Sequence, residues 1–138
     1  VIDPRIAFLI NDILKEAALR GTARKVSELE RNDFSGKTGT TNEAESTWFT
    51  GYNGHIVTSV WVGFDKPKSL GDREFGSSIA LPIWLDYKKE ITDSIPISVS
   101  LPPAGLSIVK IDKESGELAD STTTKSMFEY FLEENLPN

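Results

Sequence analysis

Cysteine is absent from the 138 residues, and there is one histidine and one methionine. Disulfides, thiol chemistry and cysteine-based metal sites are therefore excluded, and the redox compartment is left open. His55 alone cannot build a histidine-rich metal centre, and after the Asn53-Gly54 pair it reads as a solvated turn residue. No stretch approaches the roughly 18 consecutive apolar residues of a membrane helix, and no basic-apolar-small pattern opens the chain as a secretory leader would. Clustered basic residues are also missing. With Lys+Arg 15 against Asp+Glu 21 and a formal charge of -6, nothing resembles a phosphate-binding surface, so no nucleic-acid partner is expected. No cofactor and no metal are expected.

What is present suits one core: 38% of the residues are hydrophobic, enough for a single compact domain. Asp3-Pro4 reads as an N-cap followed by proline at the first helical position. Ile6, Leu9, Ile10, Ile13, Leu14, Ala17 and Ala18 recur at helical spacing, which predicts an amphipathic helix over about residues 4–20, with Gly21 ending it in a left-handed conformation. A valine at the start and a helix almost at once suggest a piece of a longer protein. Residues 22–33 are charged and predict a solvated loop or short helical turn.

Phe34-Ser35-Gly36-Lys37-Thr38-Gly39-Thr40-Thr41 has too little apolar periodicity for a helix and predicts a strand, with Gly39 allowing close backbone approach. The runs 47–52 and 56–64 are aromatic and β-branched and meet across Asn53-Gly54, a strong hairpin signal. Three successive antiparallel strands follow from this. Residues 65–76 predict a loop, and Ile79, Ala80, Ile83, Trp84 and Tyr87 a helix lying on the sheet, capped by Ser77 or Ser78. Beyond Ser94, Pro96, Pro102, Pro103 and Gly105 mark an extended segment. Residues 106–111 alternate as a strand, 113–116 turn the chain back through Leu118, and 128–134 fit a short helix or an extended tail.

Gly36-Lys37-Thr38 invites a phosphate-loop reading, but the glycine required five residues before Gly36 is Arg31. Lys37-Thr38-Gly39-Thr40 matches instead the third signature of the serine acyl-transferases. The chemistry suits those residue types: a strand edge pairs with an extended peptide through its main chain, while a cation and hydroxyls meet a carboxylate. The backbone N–H of Thr40 is a candidate oxyanion donor. A lysine on a solvated edge strand is the plainer alternative.

Several blocks in order then resemble the C-terminal part of the transpeptidase domain of class A penicillin-binding proteins. They are Asp3-Pro4-Arg5 through Gly21-Thr22-Ala23, Gly36 to Asn42, Trp48-Phe49-Thr50-Gly51-Tyr52, Val60 to Asp65 and Ala80-Leu81-Pro82-Ile83-Trp84. Weaker similarity runs through 103–106 and 111–116. The resemblance implies an α/β (α+β) fold, an antiparallel sheet flanked by helices, with residues 1–94 forming the C-terminal lobe of the transpeptidase domain and 95–138 an extension with a small hairpin. It also implies catalytic roles for Lys37 and the Thr40 N–H, substrate binding by Lys37, Thr38, Gly39 and Thr40, and accessibility from Gly36 and Gly39. Trp48 and Phe49 would pack beneath the strand, and Trp61 and Trp84 would join the core. Peptidoglycan stem peptide and β-lactams are the implied ligands of the whole domain. The parent protein would work on the outer face of the cytoplasmic membrane, anchored only through a part outside this chain.

One departure is Ser46, where the family usually has an aspartate. The larger one is that the nucleophilic S-x-x-K and the S-x-N motif are missing. Ser107-Ile108-Val109-Lys110 spells the former, but on a predicted strand residues three apart face opposite ways. The chain by itself is therefore expected to be inactive. A serine β-lactamase or carboxypeptidase relative is an alternative, though a small β-lactamase would stop soon after the helix ending near Ser94. A non-enzymatic module binding cell-wall peptide or protein is another. If strands of the family's sheet are missing here, an exposed sheet edge invites dimerisation.

Overall fold

Asp3 starts the first helix as its sequence predicts. In the computed structural model, which describes residues 2–138, α1 runs Pro4–Leu19 and the Asp3 carboxylate accepts the Arg5 amide at 2.8 Å. The other end departs from expectation. Gly21 does not adopt positive φ; it is needed because a Cβ there would lie 2.9 Å from the backbone of Ala17. The chain divides into two compact units, one of residues 11–100 and one of the residues up to Ile10 together with 101–138.

In the larger unit a 3-10 turn, Arg24–Leu29, leads into β1 (Ser35–Thr40), β2 (Ser46–Tyr52) and β3 (Val57–Gly63), and α2 (Ala80–Ile91) follows. The sheet is antiparallel in the order β1-β2-β3, so β1 and β3 are both edge strands. The Asn53-Gly54 signal marks the right hairpin but not a two-residue turn. Residues 53–56 form the connection, closed by the Asn53 amide on the Ile56 carbonyl at 3.0 Å, while the Asn53 side chain accepts from the His55 and Ile56 amides. An asparagine that caps its own loop in this way does not need the left-handed pair of residues that the shorter turn demands.

Side chains alternate across the strands, and one face of the sheet carries the core. Phe49 is fully buried there beside Phe34 and Trp84, whose rings meet edge to face at 5.5 Å (Phe34–Trp84) and 5.0 Å (Phe49–Trp84). Ala80, Leu81 and Leu85 of α2, with Val26, Leu29, Ala18 and Ala23, complete the cluster. The expected cap of α2 is not made. Ile79 occupies the cap position, and Ser78 instead accepts the Phe75 amide one turn earlier, at 2.8 Å.

Two tryptophans also depart from expectation. Trp48 and Trp61 face each other across β2 and β3 on the uncovered face, 45% and 46% exposed, with ring centroids 6.3 Å apart. The strand period puts Trp48 on the side opposite Phe49, so only one of that adjacent pair can enter the core. Trp61 opposes Trp48 in register and must follow it.

Charges expected to be solvated are buried instead. The side chains of Arg31 and Asp33 are only 9% and 3% exposed and pair at 2.7 Å. Arg31 also donates to the carbonyls of Thr92, Ile95 and Pro96, while Asp33 accepts from Asn53 and from the Ser98 amide. Lys88, in the last turn of α2, is also fully buried; its ammonium donates to Thr58 Oγ1 at 2.8 Å among the rings of Phe34, Trp84 and Tyr87. Burial pushes its pKa below the ordinary lysine value. The folded state then holds fewer protons than the unfolded one between those two values, so stability rises with pH across that window. Urea unfolding between pH 7 and 10 is expected to show that rise, and Lys88→Met to flatten it; an unaltered pH slope in the variant would assign the rise to another group.

The smaller unit is built on β4 (Leu106–Asp112) paired antiparallel with β5 (Ser126–Leu132). The expected turn at 113–116 is present, with the Asp112 carboxylate accepting the Glu114 and Ser115 amides and Gly116 at φ +77. The return through Leu118 is only a single bridge to Ile111, and the full partner of β4 is the terminal segment. That segment is extended rather than helical through Leu132, and it is paired as a strand along its length. Tyr130 of β5 meets Phe8 edge to face at 5.0 Å, and Glu134 receives Arg5 at 2.8 Å.

Candidate functional site at the free edge of the first strand

Lys37, Thr38, Gly39 and Thr40 all lie on β1, which among the described residues has a strand on one side only. Alternation sends Lys37 and Gly39 to the uncovered face, opposite Thr50 and Trp48, and Thr38 and Thr40 to the face of Phe49 and Thr47. Lys37 nevertheless comes round to Thr38. Its ammonium donates to the Thr38 carbonyl at 2.9 Å and to Thr38 Oγ1 at 3.4 Å. A long side chain on an edge strand can make this turn because no neighbouring strand stands in the way. A cation and a hydroxyl from opposite faces thus meet at one point on the rim of the sheet.

Two features of this site were not legible in the motif. Thr22, on the loop after α1, places its hydroxyl 3.1 Å from that of Thr38. Behind it, Gly21, Thr22, Arg24, Lys25, Ser77, Ser78 and Leu81 line a cleft of about 350 Å³. The second is Gly76, whose amide donates to Thr40 Oγ1 at 3.1 Å. A Cβ at residue 76 would lie 2.8 Å from the Gly39 carbonyl and would run into the Trp48 carbonyl. The glycine that permits close backbone approach is therefore Gly76 in the loop; a Cβ on Gly39 would meet only the Trp48 side chain, at 3.2 Å. Gly36 serves packing as well, since a Cβ there would sit 2.8 Å from the tip of the Phe49 ring.

At the far end of β1, Ser46 stands where an aspartate was expected, and its amide donates to Thr41 Oγ1 at 2.9 Å, closing the β1–β2 turn. Ser107 and Lys110 belong to β4, where their three-residue spacing puts them on opposite faces. Among the described residues no three histidine, aspartate or glutamate side chains gather where a metal ion could be held, and no helix is long and apolar enough to cross a membrane.

Comparison with known proteins decides the family. The chain is 42% identical over 137 residues, 99% of its length, to penicillin-binding protein 1A of Pseudomonas aeruginosa. The chain belongs to the class A penicillin-binding proteins. Penicillin-binding protein 1A of Neisseria lactamica is 49% identical over 88 residues, 64% of this chain and 11% of that protein. The crystal structure of penicillin-binding protein 1A from Haemophilus influenzae superposes on the whole chain with a TM-score of 0.86 at 33% identity and is covered over 22% of its own length. That match agrees with the α+β reading of helices around antiparallel sheets. No family model matches the chain. The chain spans only 17% of the Pseudomonas protein, so a class A penicillin-binding protein of this kind contains far more than the site described here.

Proposed function

We propose that this chain supplies the substrate-binding strand of a peptidoglycan D,D-transpeptidase whose nucleophilic serine lies in another part of the parent protein. The observation that carries the reading is the meeting of the Lys37 ammonium with the Thr38 hydroxyl at the unpaired edge of β1. Such an edge pairs with an extended peptide through main-chain hydrogen bonds, and the ammonium and hydroxyl meet the terminal carboxylate of a stem peptide or the carboxylate of a β-lactam. The Thr40 N–H serves as one oxyanion donor, a contact worth about 3 kcal/mol in the transition state. The serine oxygen adds to the carbonyl of the D-Ala-D-Ala bond, D-Ala leaves with a proton, and an amine of a neighbouring strand takes the acyl group and releases the serine. The parent acts outside the cytoplasmic membrane, where peptidoglycan is built.

The 138-residue chain has the binding edge without a nucleophile and is expected to form no covalent adduct with a fluorescent penicillin. In the full-length parent, Lys37→Ala is expected to slow acylation by about tenfold or more, the order of one hydrogen bond to a charged group. A penicillin adduct mapped to a serine of the isolated chain, or an undiminished rate in the variant, would overturn this reading.

A further inference from the structure

Thr38 Oγ1 has two neighbours that bear on its own proton: the Lys37 ammonium at 3.4 Å and the Thr22 hydroxyl at 3.1 Å. A threonine hydroxyl offers one O–H donor and two lone pairs, whereas an ammonium can only donate. Lys37 therefore takes one lone pair of Thr38, and the direction of the Thr22–Thr38 hydrogen bond is left to decide what Thr38 presents at the edge of β1. If Thr38 donated to Thr22, its only proton would be used inside the protein and a free lone pair would face the incoming ligand. A carboxylate would be repelled. If Thr22 donates, both lone pairs of Thr38 are filled and its proton points out.

We infer that Thr22 is a positioning residue which, by donating to Thr38 Oγ1, holds the Thr38 proton outward as a ready donor to the carboxylate of a stem peptide or β-lactam. This rests on the reading of β1 as the carboxylate-binding strand. The ligand itself reinforces the polarity: a carboxylate only accepts, it draws the Thr38 proton, and the relay Thr22 to Thr38 to carboxylate then runs in one direction, each bond polarising the next. The backbone around Thr22 is suited to the task. Ala23 is 1% exposed and its amide is bound to the Ala17 carbonyl at 3.2 Å, while the Arg24 amide is bound to Gly21 at 3.2 Å. The loop is anchored on both sides of residue 22, so the hydroxyl reaches Thr38 from a fixed base, and Thr22 itself lines the cleft with Arg24, Lys25 and Ser77.

The test uses the full-length parent and separates the pre-covalent dissociation constant from the acylation rate constant, for a penicillin and for its neutral methyl ester. Thr22→Val, which keeps the shape and removes the donor, is expected to weaken binding of the carboxylate form about tenfold, as for one lost hydrogen bond to a charged group, with the acylation constant unchanged. The ester is expected to bind both proteins alike, and Thr22→Ser to restore carboxylate binding. Equal or tighter carboxylate binding by Thr22→Val would mean that Thr38 donates to Thr22 or that the bond is irrelevant, and a matching loss with the ester would reduce Thr22 to a structural residue. Thr38→Val distinguishes the two levels. If it leaves carboxylate binding intact, the carboxylate-strand reading itself falls; if it weakens binding while Thr22→Val does not, only the role of Thr22 falls.

Discussion

Replacing Asp33 with alanine is expected to cost about 3–5 kcal/mol of stability, because it leaves a buried arginine without its counter-charge. The Arg31–Asp33 pair lies just before β1, and its hydrogen bonds run to the hairpin loop through Asn53 and to the extended segment through Ser98 and the carbonyls of Thr92, Ile95 and Pro96. Three separate stretches of chain are tied at one carboxylate. Burial alone would raise the Asp33 pKa; hydrogen bonds from Arg31, the Ser98 amide and Asn53 outweigh it and hold the carboxyl well below the usual range. A depressed carboxyl contributes stability that is full above its unfolded value, about 3.9, and is lost as pH falls toward the folded value. Urea unfolding at neutral pH checks the first expectation. Repeating it from pH 5 down to 2 checks the second, since that acid dependence should be much reduced in Asp33→Ala. A neutral-pH loss below about 1 kcal/mol, the level of an exposed pair, would show that the network does not behave as a buried one.

The other large effect is expected at Trp84. Trp84→Ala removes a fully buried ring from between Phe34 and Phe49 and is expected to cost about 3–5 kcal/mol by cavity formation. The indole also donates to the Thr58 carbonyl at 3.1 Å, tying α2 to β3, so Trp84→Phe keeps part of the packing but loses a bond worth roughly 1 kcal/mol. The ring occupies the space left by Gly51: a Cβ there would lie 2.5 Å from the indole. Gly51→Ala is therefore expected to destabilise the wild type more than it destabilises Trp84→Phe, and a double-mutant cycle in thermal unfolding reads that coupling. Additive effects would show that the glycine is there for another reason.

Much of this arrangement could be read in advance, for identifiable reasons. The helix of residues 4–19, the three strands and the helix after them carry local signals: an Asp-Pro start, a 3.6 period, β-branched and aromatic runs, and an asparagine at the hairpin loop. The failures share a different character. β5 has the composition of a strand, but its partner β4 begins 20 residues earlier at Leu106, and nothing local to 126–132 names it. Likewise Trp48 and Phe49 are equally apolar neighbours, and only the direction from which α2 approaches decides which one is buried.

At the candidate site the division is sharper. The order of residues along β1 and the family they indicate were available from the sequence, because Lys37-Thr38-Gly39-Thr40 and the blocks around it are local patterns. That Lys37 bends round the rim to Thr38, that Thr22 approaches the same hydroxyl, and that Gly76 supports Thr40 from beneath belong to the tertiary structure alone. These contacts join residues up to 36 positions apart. They exist because a strand edge, a helix-terminal loop and a glycine-bearing turn are brought together by burial of Phe34, Phe49 and Trp84 in the core. Sequence names the polar groups along β1; packing elsewhere decides which of them share a hydrogen bond.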